Sequence, residues 1–170
     1  MPSGSVGNIF LLGRIQKGRG VATRQLDWRE EKFHEALGGP PFPGTLNLLL
    51  ENPVVFSDGA GFSLGERIFV PARIPQVGLV LLHRWRGAPL HVVEVVSVVS
   101  IRQTLGVGNG EVVKLEVLQR DVVDLSWAQR FFHYLLWCGR STWYYSNCKY
   151  SGLKIVRVIR HFFGQQASRN

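Results

Sequence analysis

Residues 38–50 read GGPPFPGTLNLLL. Glycine supplies backbone conformations closed to other residues and proline presets its own φ, so the first seven positions make a turn. The apolar run that follows is strand-like, and residues i and i+2 of a strand point the same way. Leu46 and Leu48 therefore share the core face, while Thr45 and Asn47 stand side by side on the other. A hydroxyl and an amide oxygen, placed together on a strand of leucines, are a pair of neutral donors. Such a pair does not hold Mg²⁺ alone, but Mg²⁺ takes most of its ligands from water and substrate phosphates. The same two residues also serve as turn caps, and spacing alone leaves both readings open.

The rest of the chain is consistent with a small β protein. Its 170 residues suffice for one well-formed core with an appendage. With 45% hydrophobic and 19% charged residues, the composition is globular and not disordered. No apolar stretch approaches the roughly 18 residues of a spanning helix, and MPSGSVGNIF has neither the basic n-region nor the apolar h-region of a signal peptide. The expected compartment is the cytoplasm. Cys138 and Cys148 have no partners at metal-ligand spacing, so two unlinked thiols are expected and a zinc site is not.

The net charge of +8 is uneven. Residues 1–120 hold 13 basic and 10 acidic side chains, whereas residues 121–170 hold 7 and 2. The last fifty residues thus form a basic extension, of the kind that meets nucleic acid, an anionic membrane or an acidic partner.

Along the chain, VGNIFLLGRI reads as a first strand and DWREEKFHEALGG as a helix. Asp27 is the expected N-cap, Glu30 completes a capping box, and Gly38 is the stop. Trp28, Phe33, Ala36 and Leu37 are expected on its buried side, and its glutamates on the solvated one. Further strands are expected at RIFVPARI, VGLVLLHRW, LHVVEVVSVV and EVVKLEVL, with a helical turn at SIRQTLGV. Asn109-Gly110 marks a turn. Many short strands with turn punctuation favour a barrel or sandwich. From Asp121 the pattern becomes helical: Trp127, Phe131, Tyr134, Leu135 and Cys138 recur at helix spacing in DLSWAQRFFHYLLWCG. This stripe is expected to pack on the barrel or on a second subunit. Trp143, Tyr144, Tyr145 and Tyr150 beyond it either stack bases or fill an interface.

GRIQKGRG is not a Walker loop, because Arg19 and Gly20 occupy the places of its Lys and Ser/Thr. What remains is Gly18-Arg19-Gly20 after a strand, where the backbone can approach an anion closely. Taken in order, this glycine loop, the helix ending in LGG, PFPGTLNL and VVEVV…IRQTLGVGNGEVVKLEV resemble the archaeal CTP-dependent riboflavin kinases over residues 10–119. The proline-glycine-threonine-leucine-asparagine run is the specific part.

The resemblance implies a small cradle-loop-type β-barrel with one or two short helices, placed at residues 1–120; the tail matches nothing in the family core, and charge and periodicity make residues 121–170 a helical, basic extension. The resemblance also implies phosphoryl transfer from CTP to the riboflavin 5′-hydroxyl with Mg²⁺, giving FMN and CDP. Residue by residue, Thr45 and Asn47 become the magnesium ligands. Gly18, Arg19, Gly20, Val21, Ala22, Thr23 and Arg24 match a first nucleotide-binding segment, and Val99, Ser100, Ile101 and Arg102 a second. Glu94 falls on a flavin-contacting glutamate, in a strand otherwise apolar apart from a serine. The chain departs from the pattern at Ala22 (usually glycine), Val21 (usually acidic) and Arg86, which stands where a flavin-contacting threonine is expected. The acceptor therefore stays open between riboflavin and another small hydroxyl compound. No residue is singled out as a general base. The competing class is a nucleotide- or nucleic-acid-binding barrel without kinase activity, to which Thr45 and Asn47 are indifferent.

Overall fold

The computed structural model describes residues 7–18 and 31–138. Nine strands run in chain order: β1 (Asn8–Gln16), β2 (Leu46–Leu50), β3 (Val55–Phe56), β4 (Phe62–Leu64), β5 (Arg67–Ile74), β6 (Gly78–Trp85), β7 (Val92–Val96), β8 (Val112–Leu118) and β9 (Val122–Val123). Three α-helices join them: α1 (Glu31–Leu37), α2 (Ile101–Leu105) and α3 (Trp127–Trp137). Strands β5, β6, β7, β2, β1 and β8 pair in that order, each antiparallel to the next. The ring closes where Arg73 of β5 meets Glu116 of β8, so six strands form a barrel without free edges. β4 extends it as a short hairpin on β5.

Side-chain alternation sets the inside of the barrel. Leu11 and Ile15 of β1, Leu46, Leu48 and Leu50 of β2, Val93 and Val95 of β7, and Val113, Leu115 and Val117 of β8 meet in one core. Leu46 and Leu48 thus face inward as expected. Outside the wall, Phe33 and Leu37 of α1 pack on Phe69, Leu81 and Val96. Covered on both faces, β6 shows a run of buried residues instead of alternation. Gly38 ends α1 with φ 72° and returns its N–H to the His34 carbonyl at 2.9 Å. The expected start of this helix at Asp27, Trp28 and Glu30 lies outside the described residues.

One end of the barrel is closed by an arginine. Arg84, 7% exposed, donates from Nε to the Val92 carbonyl at 2.9 Å. Its Nη1 and Nη2 donate to the carbonyls of Val54 and Leu90, each at 2.7 Å. The guanidinium lies 4.6 Å from the centre of the Phe56 ring. The fixed fork of guanidinium N–H donors suits three converging backbone carbonyls, of which that of Leu90 also accepts from the Val54 N–H at 3.1 Å.

Beyond β8 a 3₁₀ turn, Gln119–Asp121, leads into β9, which pairs with β3. The expected helix then forms as α3, capped by the reciprocal Ser126–Gln129 box. Its apolar stripe does not meet the barrel: Trp127 is 81%, Phe131 55% and Leu135 63% exposed. The helix docks instead through His133, whose Nε2 is 3.1 Å from His91 Nδ1, with the Trp137 ring 5.3 Å from His91. Periodicity marks a face of the helix but not the surface that it meets. Burial, helped by His91 and Arg84, holds the His133 imidazole down at about 4. Among the described residues no helix is long and apolar enough to cross a membrane.

Candidate active site

The candidate residues on the barrel strands lie on the outer face of the wall, not inside it. Strand register aligns Gln16, Asn47, Glu94, His83, Phe69 and Phe62 as one row across β1, β2, β7, β6, β5 and β4. Each has odd parity against the core leucines and valines, so all six share the outer side. At one end of the row, the Phe62, Phe69 and His83 rings are stacked, with centroids 5.0 and 4.7 Å apart. At the other end sit the polar residues.

Thr45 stands just ahead of β2 and above Glu94. Gly44 turns the chain there with φ 144°, and the Phe42 N–H is tied to the Ser97 carbonyl at 2.7 Å. So held, the Thr45 hydroxyl donates to Glu94 Oε2 at 3.0 Å. The predicted metal ligand and the predicted acceptor contact are thus one hydrogen bond apart. His83 Nδ1 approaches the same oxygen from the other side, at 3.6 Å.

Asn47 is buried at 8% exposure, and Gly18 packs directly on its side chain. A β-carbon at Gly18 would overlap Asn47 Nδ2 and lie 3.2 Å from its Cγ. A side chain at position 18 would force either Asn47 or the backbone to shift, so this close approach favours glycine and sets Gly18 against β2. The second predicted nucleotide segment reaches the same place through Arg102, whose Nη2 donates to the Gln16 carbonyl at 3.0 Å and to Asn109 Oδ1 at 2.8 Å. Val99, Ser100, Ile101 and Arg102 line one side of a cleft of about 90 Å³, with Phe42, Gly44 and Thr45 on the other. Gly18, Thr45, Asn47, Glu94 and residues 99–102 therefore converge. Arg19, Gly20, Val21, Ala22, Thr23 and Arg24 lie outside the described residues. Arg86 does not join the group: it sits in the β6–β7 turn, past His83 and away from the Val96 end, with its N–H on the Glu66 carbonyl at 2.7 Å.

The donor set fits a hard divalent cation. The Thr45 hydroxyl gives its proton to Glu94 and so keeps its lone pairs, and Asn47 adds a neutral amide. Both are hard donors suited to an ion that takes its other ligands from water and phosphate. His83 was not legible as a site residue, because a histidine in VGLVLLHRW reads as one more position of a buried strand. Its signal is positional, the cross-strand pairing with Glu94.

No protein-family model matches the chain. Among curated proteins, the riboflavin kinase of Pyrobaculum arsenaticum is 34% identical over 132 residues, covering 67% of this chain and 63% of that protein. That of Methanocella arvoryzae is 29% identical over 109 residues, covering 58% and 51%. The riboflavin kinase of Methanothermobacter thermautotrophicus is 32% identical over 103 residues, or 51% of this chain and 80% of that protein. The chain spans less than two thirds of the length of the Pyrobaculum and Methanocella proteins. Four fifths of the Methanothermobacter protein is nevertheless matched, by a six-stranded barrel that carries the threonine–asparagine pair: this chain belongs to the archaeal-type riboflavin kinase family.

Proposed function

We propose that the protein phosphorylates riboflavin at its 5′-hydroxyl, taking the γ-phosphoryl of CTP and releasing FMN and CDP. The observation that carries this reading is the Thr45–Glu94 hydrogen bond at 3.0 Å. It joins the residue proposed to contact the acceptor to a residue proposed to serve the phosphate donor, and such proximity is the first requirement of a direct transfer between two bound substrates. Membership of the riboflavin kinase family supplies the reaction class and the acceptor.

Phosphoryl transfer has a loose transition state, so the protein's work is positioning and charge neutralisation. Thr45 and Asn47 would hold Mg²⁺, which when bound neutralises the charge of the phosphates. Gly18, pressed on Asn47, brings the start of the first nucleotide segment to that pair. Arg102 anchors Val99–Ile101 against the end of β1, fixing the second segment. Glu94 accepts a hydrogen bond from the acceptor and orients it; Arg86 borders the far end of β6, where a larger or anionic acceptor would reach it. The choice of CTP over ATP rests on the resemblance of the two nucleotide segments to those of the CTP-dependent kinases.

The test is incubation of the purified protein with riboflavin, Mg²⁺ and each of the four nucleoside triphosphates, followed by separation of FMN. FMN formation fastest with CTP is expected. Equal or faster turnover with ATP refutes the donor assignment, and nucleotide binding without FMN points to a binding barrel.

A further inference from the structure

His83 is only 6% exposed, and among the described residues neither of its ring nitrogens has a hydrogen-bond partner. One face of the ring is stacked on Phe69 at an interplanar angle of 15°. A neutral imidazole must carry its proton on one nitrogen, and a buried N–H without an acceptor is costly. On Nε2 that proton would be enclosed with no acceptor. On Nδ1 it points toward Glu94 Oε2, 3.6 Å away. Among the described residues the other elements around the pair offer nothing better: α1 presents Phe33 and Leu37, and β5 presents Phe69, while Glu31, Lys32, His34 and Glu35 are exposed. Arg84, the next residue of β6, points to the opposite side and is engaged by three backbone carbonyls.

We propose that His83 is a positioning residue: its Nδ1–H points at Glu94 Oε2 from the side opposite Thr45, so that Thr45, hydrogen-bonded at 3.0 Å, and His83, at 3.6 Å, together fix the carboxylate for the acceptor. A carboxylate has about four acceptor sites. Two donors converging on Oε2 restrain the rotation of the carboxylate that the acceptor would meet. The stack of Phe62 and Phe69 serves this arrangement by holding the imidazole plane. The pairing itself stands on geometry alone; its consequence for riboflavin rests on the function proposed above.

Two measurements on the full chain separate these. The first is ¹⁵N NMR of histidine-labelled protein at a pH where the ring is neutral, with the His83 signals assigned by their loss in His83→Phe. The Nδ1–H tautomer is expected in the wild type, reverting to Nε2–H in Glu94→Met; an Nε2–H tautomer in the wild type overturns the proposal. The second is riboflavin affinity by flavin fluorescence. His83→Phe keeps the stack and the volume but loses the donor, and should weaken riboflavin at least tenfold while CTP affinity stays within twofold. His83→Gln, whose amide can donate, should recover part of the loss. Unchanged riboflavin affinity in a folded His83→Phe variant overturns the positioning role. If the wild type itself binds no riboflavin, the proposed function falls, and the tautomer still decides the pairing.

Discussion

Replacing Gly18 by alanine adds one carbon at the point where the proposed nucleotide segment touches Asn47, one of the two proposed metal ligands. That carbon would overlap Asn47 Nδ2, with Cγ at 3.2 Å and Oδ1 at 3.8 Å. Restoring ordinary contact requires a movement of roughly 1 Å or more. Asn47 has little room to yield: it is 8% exposed and lies in register between Gln16 and Glu94 on a strand buried throughout. The backbone at 17–18 must back away, or the amide must turn. As overpacking, either response costs about 1–3 kcal/mol. Either one also separates the loop from Asn47, and a misplacement of about 1 Å costs on the order of a hundredfold in a reaction that depends on alignment. The assay is kcat/KM for FMN formation over a Mg²⁺ titration, with urea unfolding to confirm a native fold. Gly39→Ala is the control, because its β-carbon would meet only Val98 Cγ1, at an ordinary 3.6 Å. Wild-type kcat/KM and Mg²⁺ dependence in Gly18→Ala, alongside an unaffected control, would refute the reasoning.

Thr45→Ala and Asn47→Ala should each lower kcat/KM by about one to three orders of magnitude while leaving the fold intact, since neither side chain enters the barrel core; Thr45→Ser should stay near wild type because the hydroxyl is retained. Arg84→Met should destabilise the barrel by about 3–5 kcal/mol in urea unfolding, because the buried carbonyls of Val54, Leu90 and Val92 lose a charged donor. The docking of α3 should be sensitive to acid. His133 is held at about 4 in the folded protein against an ordinary 6.5, so its contribution is fully present above pH 6.5 and is lost as pH falls from there toward 4. The full shift corresponds to about 3 kcal/mol, and screening by water at the helix edge should reduce the observed loss to about 1–2 kcal/mol. Trp137 fluorescence against pH, compared with His133→Phe, measures it; an identical acid profile in the variant would assign the transition elsewhere.

Much of the architecture was written in local pattern. Leucines at every second position of β2 chose the barrel side, Gly38 stopped α1, and Ser126 with Gln129 started α3, because these depend on residues a few positions apart. The short pairs β3–β9 and β4–β5 were not legible, since two- and three-residue strands carry no period and form only when a partner lies alongside. The direction of α3 was also hidden. Trp127, Phe131 and Leu135 make the more apolar face, yet the barrel meets His133, and only the position of His91 decides that. The candidate site divides in the same way. Thr45 and Asn47 announce themselves as two polar residues on one side of a leucine strand. That Gly18 presses on Asn47, that Arg102 reaches the Gln16 carbonyl 86 positions away, and that Glu94 stands between Thr45 and His83 are consequences of strand register. Cross-strand neighbours are set by how the barrel closes. Closure is a property of all six strands together, and no single stretch of sequence contains it.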